Sequence, residues 1–224
     1  MIAVLEKLRA DVHKALVALP RTGLVQGTSG NVSGREGDLV VIKPSGVEYD
    51  ALSAEDLVVV DLSGCVIEGS LSPSVDTSAH LHIYRSVPDV GGVVHTHSTY
   101  ATVFAVLGKE ISVYLTELAD LFGGPIPVSA YVPPGSEAIG KEFASRTRPG
   151  RFRALLMRNH GVFTAGRTTG DALNAARIVE HSARISYLAS RAGEPVPLPK
   201  DEIDRLHEAY MADYGQTSAG RVDS

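Results

Sequence analysis

The apolar positions of this 224-residue chain fall into two rhythms. Val4, Leu5, Leu8, Val12, Leu16 and Leu19 recur at helical spacing and predict a helix over Ile2–Leu19, stopped by Pro20. Short apolar runs predict strands at Leu39–Lys43, broken by Pro44-Ser45-Gly46, and at Asp56–Asp61, which turns at Ser63-Gly64 into Cys65–Gly69. A further strand is expected over 90–97. The helical rhythm returns over Asp76–Val87, with Ser74 or Asp76 as cap and Pro88 as stop, and over Ser98–Leu107, closed by Gly108. Gly123–Val128 reads as loop into strand and Gly135–Ser145 as a helix. Arg153–Arg158 reads as a strand leading to His160 and continued by Val162–Ala165. The longest helix is expected over Thr168–Ala192, with Thr168 and Asp171 in a capping pattern and Gly193 as its end. Pro195, Pro197 and Pro199 make a stiff connector to a last helix at Ile203–Tyr210.

Strands and helices are interspersed without repeats or a break in composition. This predicts one α/β domain over residues 1–214, a sheet layered between helices, with 215–224 as a mobile polar tail. Apolar residues at 44% and charged residues at 21% are ordinary for a soluble globular chain. A net charge of -5 argues against a nucleic-acid partner, whose electrostatic footprint should be basic. The charged N-terminus has no signal-peptide stretch, and no run approaches the roughly 18 apolar residues of a membrane span. A cytoplasmic protein without a membrane partner is the expectation. Cys65 stands alone, which excludes an internal disulfide, and is expected to be a buried or half-buried small apolar residue.

Candidate chemistry enters with His95-Thr96-His97, directly after the run Val90–Val94. Residues two apart on a strand face the same way, so these imidazoles form a ready pair of metal ligands. His160 ends a second apolar run and is followed by Gly161, and Asp76 supplies a carboxylate upstream. Three ligands with an open position are what a catalytic zinc site needs. His80 and His82 also form an H-x-H, but a helix puts them on opposite faces, so they read as structural, as do His13 and His181. A cupin site usually adds a Glu shortly after its H-x-H; positions 98–101 here are Ser, Thr, Tyr and Ala. Three segments rich in glycine and hydroxyls, 27–31, 43–46 and 73–74, bring amides, hydroxyls and one lysine that together suit a phosphate dianion.

The ordered string G-T-S-G-N-V-S, I-K-P-S-G, P-S-V-D-T, V-V-H-T-H-S and N-H-G-V-F resembles the class II aldolase family, across nearly the whole chain. That family includes L-fuculose-phosphate aldolase, L-rhamnulose-phosphate aldolase and L-ribulose-5-phosphate 4-epimerase. The resemblance implies a mostly antiparallel central sheet between helices and a homotetramer with active sites between subunits. It implies that His95, His97 and His160 are zinc ligands, with Asp76 as the active-site carboxylate that holds the metal beside them. The phosphate pocket maps onto Thr28, Gly30, Asn31, Lys43, Ser45, Gly46 and Ser74. Where the family commonly has a second serine before the carboxylate, this chain has Val75. Manganese, cobalt or iron would also suit such ligands.

The family's shared chemistry is cleavage of a carbon–carbon bond next to a ketone, with the metal stabilising the enediolate. An epimerase then re-adds the aldehyde from the other face, and needs proton donors and acceptors on both sides. Thr116–Asp120 and Asp213–Gln216 resemble the epimerase branch, in which such an aspartate and tail tyrosine come from a neighbouring subunit. By that resemblance Asp76, Asp120 and Tyr214 are catalytic, and His207 matches an epimerase tail histidine only weakly. Asp rather than Glu at position 76 also fits that branch. The leading expectation is therefore an enzyme similar to L-ribulose-5-phosphate 4-epimerase acting on a sugar phosphate. The alternative is an aldolase that yields dihydroxyacetone phosphate and a small aldehyde. A non-catalytic module like the adducin head region is the third reading; such a module could dispense with its metal ligands, and here all are present.

Overall fold

A computed structural model describes residues 2–213. Its centre is a sheet of seven strands in the order β4-β3-β2-β1-β5-β7-β6. The strands are β1 (Asn31–Glu36), β2 (Leu39–Ile42), β3 (Val58–Asp61), β4 (Val66–Glu68), β5 (Gly92–Thr96), β6 (Phe152–Met157) and β7 (Gly161–Gly166). Every ladder is antiparallel. The helices are α1 (Ile2–Arg21), α2 (Thr77–Ser86), α3 (Thr99–Leu107), α4 (Thr116–Phe122), α5 (Glu137–Arg146), α6 (Thr169–Ala192) and α7 (Lys200–Asp213). None of them is long and apolar enough to cross a membrane.

The short apolar runs make sense once both faces of the sheet are covered. Val40, Ile42, Val58, Val60 and Val93 pack under α2 and α5, beside Ile83, Tyr84 and Phe143. The alternate residues Val41, Val59 and Val94 pack on the other face against α1 and α6, through Leu16, Leu19 and Ala176. A strand buried on both faces shows no alternation, because every position is apolar. A third cluster joins α3, α4, α6 and α7 to Ala154 and Leu156 of β6 and Val162 of β7.

Several boundaries and elements differ from the sequence reading, and the strand expected at the end of Gly123–Val128 is reduced to isolated bridges at Ile126 and Val128. The expected strand over 153–165 is a hairpin: β6 and β7 pair antiparallel around a turn at 158–160, and His160 sits in that turn. Asn159 makes the turn with a φ of 57°, a left-handed conformation its short polar side chain tolerates. Cys65 is exposed, not buried or half-buried, because it belongs to the β3–β4 turn, where its N–H donates to Asp61. β1 and α4 had no predicted counterpart. α1 takes Pro20 into its last turn instead of stopping before it. The cap of α6 is as read: the Thr168 hydroxyl oxygen accepts from the Asp171 N–H. The expected tail, 215–224, and Tyr214 lie outside the described residues.

Candidate metal centre

β5 and the β6–β7 turn bring three imidazoles together at one end of the sheet. His95 is the penultimate residue of β5, and His97 follows just past its end. Their Nε2 atoms lie 2.9 Å apart. His160 reaches in from the turn, its ring centre 4.8 Å from that of His95 and 5.1 Å from that of His97. One ligand atom from each of the three lies within 4.8 Å of the others, an arrangement no other group of His, Cys, Asp or Glu matches among the described residues. The approach requires a glycine. A Cβ on Gly161 would stand 2.4 Å from the Thr96 carbonyl oxygen and against the rings of both His95 and His97.

The second nitrogen of His95 settles its tautomer. His95 Nδ1 lies 2.9 Å from the Val162 carbonyl, which only accepts, so Nδ1 carries the proton and Nε2 presents a lone pair. Phe163 stacks on the same ring at 4.2 Å. Burial pushes the His95 pKa down to about 3 against the pull of Asp76. Burial also lowers His97 and His160, so all three rings are neutral at pH 7. His160 Nδ1 is buried with no hydrogen-bond partner among the described residues. Neutral imidazoles that converge, with an orphaned ring nitrogen among them, fit a divalent cation that favours nitrogen donors.

Asp76 occupies the N-cap position of α2, yet its carboxylate makes no capping bond there. It accepts from Asn31 Nδ2 at 2.8 Å, and its Oδ2 lies 3.8 Å from His95 Nε2. Burial alone would raise its pKa, but His95, His80 and the Asn31 amide together outweigh burial and hold it low. The carboxylate therefore stands beside the imidazoles, just outside the tight group of three.

An open cavity of about 300 Å³ collects these residues with the whole set read as a phosphate pocket: Thr28, Gly30, Asn31, Lys43, Ser45, Gly46 and Ser74. Lys43 is buried, with no carboxylate in ion-pair range among the described residues. Its ammonium donates to the Pro44 carbonyl at 3.3 Å and lies over the Tyr49 ring at 5.0 Å. Burial lowers its pKa. An ammonium held this way favours an incoming anion. Ser74 Oγ accepts from Asn31 Nδ2 and from the Asp76 N–H, which leaves its own proton free to donate. Both N–H groups of the Asn31 amide are engaged, one by Ser74 and one by Asp76. Val75, 69% exposed, stands at the rim.

Asp120 is not among the residues lining this cavity. It lies on α4, where its carbonyl accepts from His207 Nδ1 at 2.8 Å, and burial raises the pKa of its carboxyl. The sequence reading passed over Ser29, Pro44 and Pro134, which complete the cavity, and Tyr49, which supports Lys43. Pro134 comes from the loop before α5, and nothing in its local pattern ties it to the histidines.

Residues 10–187 match the family described as Class II Aldolase and Adducin N-terminal domain. Among solved structures, an L-fuculose 1-phosphate aldolase is 31% identical, with a TM-score of 0.86 over 92% of this chain and 96% of its own. The L-fuculose-1-phosphate aldolase from Thermus thermophilus is 28% identical, with a TM-score of 0.72 over 84% of this chain and 98% of its own. YgbL from Escherichia coli, for which aldolase, epimerase and decarboxylase activities are candidates, is 26% identical, with a TM-score of 0.81 over 91% and 99%.

Proposed function

The chain belongs to the class II aldolase and adducin N-terminal domain family, and from that premise we propose that it is a metal-dependent enzyme that breaks and remakes a carbon–carbon bond in a sugar phosphate, of the L-ribulose-5-phosphate 4-epimerase type. One observation carries this reading: a single cavity holds three converging imidazoles and a buried lysine with no carboxylate partner among the described residues. His95, His97 and His160 would hold the cation, zinc by preference, with Asp76 completing the set. Such a cation supplies Lewis-acid polarisation of a hydroxyketone when bound.

The chain's own residues bind the substrate and handle protons. Lys43 gives the phosphate its counter-charge, while the hydroxyls of Thr28, Ser45 and Ser74 and the amides of Gly30 and Gly46 take its oxygens. Asn31 serves the pocket by setting Ser74 and Asp76. Asp120 and Tyr214, brought by a neighbouring subunit of a homotetramer, exchange protons with the hydroxyl and carbonyl of the two fragments. Burial raises the pKa of the Asp120 carboxyl, which favours the protonated form that such an exchange must pass through.

The second reading is an aldolase that releases the aldehyde, favoured by the 31% likeness to an L-fuculose 1-phosphate aldolase. Zinc-reconstituted protein given L-ribulose 5-phosphate, and separately dihydroxyacetone phosphate with lactaldehyde, divides the two by product analysis. Epimer from the first mixture is expected. Ketose phosphate from the second alone installs the aldolase. No turnover of either, or of a wider panel of pentulose and hexulose phosphates, removes both.

A further inference from the structure

The two rings of the H-x-H pair are held differently. His95 Nδ1 is fixed by the Val162 carbonyl at 2.9 Å, whereas the His97 ring has one hydrogen-bonding neighbour among the described residues, His95 Nε2 at 2.9 Å. No backbone group orients the His97 ring, so its place depends on the main chain that carries it. The sheet holds that chain on one side only. The last ladder pair of β5 is Thr96 with Val162, one residue short of His97. On the other side α3 begins at once, with Ser98 in its N-cap position.

Ser98 does not cap that helix. An N-cap serine ordinarily accepts from the N–H group two or three residues on. Here Ser98 Oγ is buried with no hydrogen-bond partner among the described residues. The N–H groups it would take, those of Tyr100 and Ala101, donate instead to Glu180 Oε1 and Oε2, each at 2.9 Å. Glu180 belongs to α6, where Val179 and Ala183 on either side of it pack with Ala101 and Ala105 of α3 in one apolar cluster. Side chains this small let the two helices come close enough for the carboxylate to reach across. Glu180 makes no other hydrogen bond or ion pair among the described residues, and Arg184, one turn further along α6, lies over the Tyr100 ring at 5.8 Å instead. A carboxylate that bridges two N-terminal amides makes two charge-assisted bonds and meets the positive end of the helix dipole.

We infer that Glu180 is a positioning residue for His97: from the neighbouring helix it clamps the first turn of α3, and so fixes the main chain that turns His97 towards His95 and His160. The ladder secures this chain just before His97, and Glu180 secures it just after. The proposal rests on the metal reading above, since the ring it sets belongs to that site. Two plainer roles compete with it. Glu180 could serve only the stability of the fold, or only fill space between α3 and α6, so a test must read the site itself in protein that is folded.

Two measurements on the full chain do so. In metal-free, isotope-labelled protein, the Tyr100 and Ala101 amides should be protected from hydrogen exchange. In E180L, which keeps much of the volume and accepts nothing, they should exchange about tenfold faster or more, the equivalent of one lost charge-assisted bond. A Cβ on Gly161 would stand 3.1 Å from His97 Cδ2, so the nuclear Overhauser contact between the Gly161 α-proton and the His97 ring reports where that ring lies. It should weaken in E180L. Zinc titration, in conditions where every variant is folded, then reads the site. E180L should bind zinc roughly tenfold more weakly, the lower end of the range for losing an outer partner of a metal site, because Glu180 acts through the main chain. E180Q keeps a neutral acceptor, should fall between the two, and stands in for E180L if that variant does not fold. Wild-type zinc affinity in the folded variant overturns the proposal. Weaker binding with both amides still protected assigns the loss to packing and overturns it too. A wild type that binds no zinc sinks the metal reading itself. The contact between His97 and Gly161 then decides for Glu180, and a contact unchanged in the variant overturns the clamp.

Discussion

Lys43 is the residue whose position is hardest to explain by stability. It is buried, it pairs with no carboxylate among the described residues, and its best contacts are one carbonyl and one aromatic ring. A buried ammonium whose only opposite charge is Glu48, acting from beyond ion-pair range, weakens the fold, and sites that do so mark function. K43M should therefore raise stability by about 1 kcal/mol, read as a higher urea midpoint. The same change should raise KM for a ketose phosphate at least roughly tenfold, the loss of one charge-assisted bond of about 1.5–3 kcal/mol. An unchanged KM would remove Lys43 from phosphate recognition. His80 supplies the pH test at this scale. Its folded pKa of about 4 lies below the ordinary value near 6.5. Between those values the unfolded chain binds more protons, so the stability of the metal-free protein is intact above about pH 6.5 and falls as pH drops towards 4. Urea midpoints followed down that range should fall more steeply for wild type than for H80Q, by about one proton. Parallel slopes would mean that His80 is not held neutral.

At the scale of the elements, the β6–β7 hairpin sets the site's geometry. Gly161 lets the hairpin close against the Thr96 carbonyl and both rings of the H-x-H pair. G161A should destabilise the protein by about 1–3 kcal/mol, as overpacking does. Zinc binding should weaken with it, and calorimetry with a zinc titration reads both. An alanine variant with wild-type affinity would show that the rings are not set by this approach. This hairpin also marks where the sequence ceased to be legible. The runs on either side of His160 were visible, but the turn between them depends on Asn159 adopting a left-handed φ, which the apolar pattern does not encode. β1 was hidden for a related reason. Its Asn31 and Ser33 point into the layer that holds the carboxylate and His80, and its Gly34 makes room for Leu8 and Val12 of α1. A central strand with polar and glycine positions lacks the run that betrayed β2, β3 and β5. The three histidines and Asp76 were legible because each ends, follows or opens a regular element, whereas Pro134 joins the cavity, and Tyr49 its Lys43, only through the tertiary fold.

At the scale of the whole molecule, one chain brings together the imidazoles, Asp76 and the residues proposed to hold a phosphate, but leaves Asp120 on α4, outside the lining of that cavity. If Asp120 handles protons, it must do so in another copy's site, and the assembly becomes part of the mechanism. That has a consequence no single variant can mimic. D120N keeps a complete metal cavity and lacks the proton-handling group, while H160A keeps Asp120 and lacks a ligand. Each alone should be inactive. In a mixed assembly, however, a site formed by the cavity of a D120N subunit and the Asp120 of an H160A subunit is whole. After the two are unfolded together and refolded in equal amounts, random pairing restores roughly a quarter of wild-type activity, because each site needs one named variant on each side. Refolding each variant alone gives the baseline, and sizing of the mixture confirms that assemblies have formed. Activity no higher than that baseline, in assemblies of the same size as wild type, would place Asp120 outside the chemistry or within its own subunit's site. The sheet and its histidines would then carry the reaction without help from a neighbour.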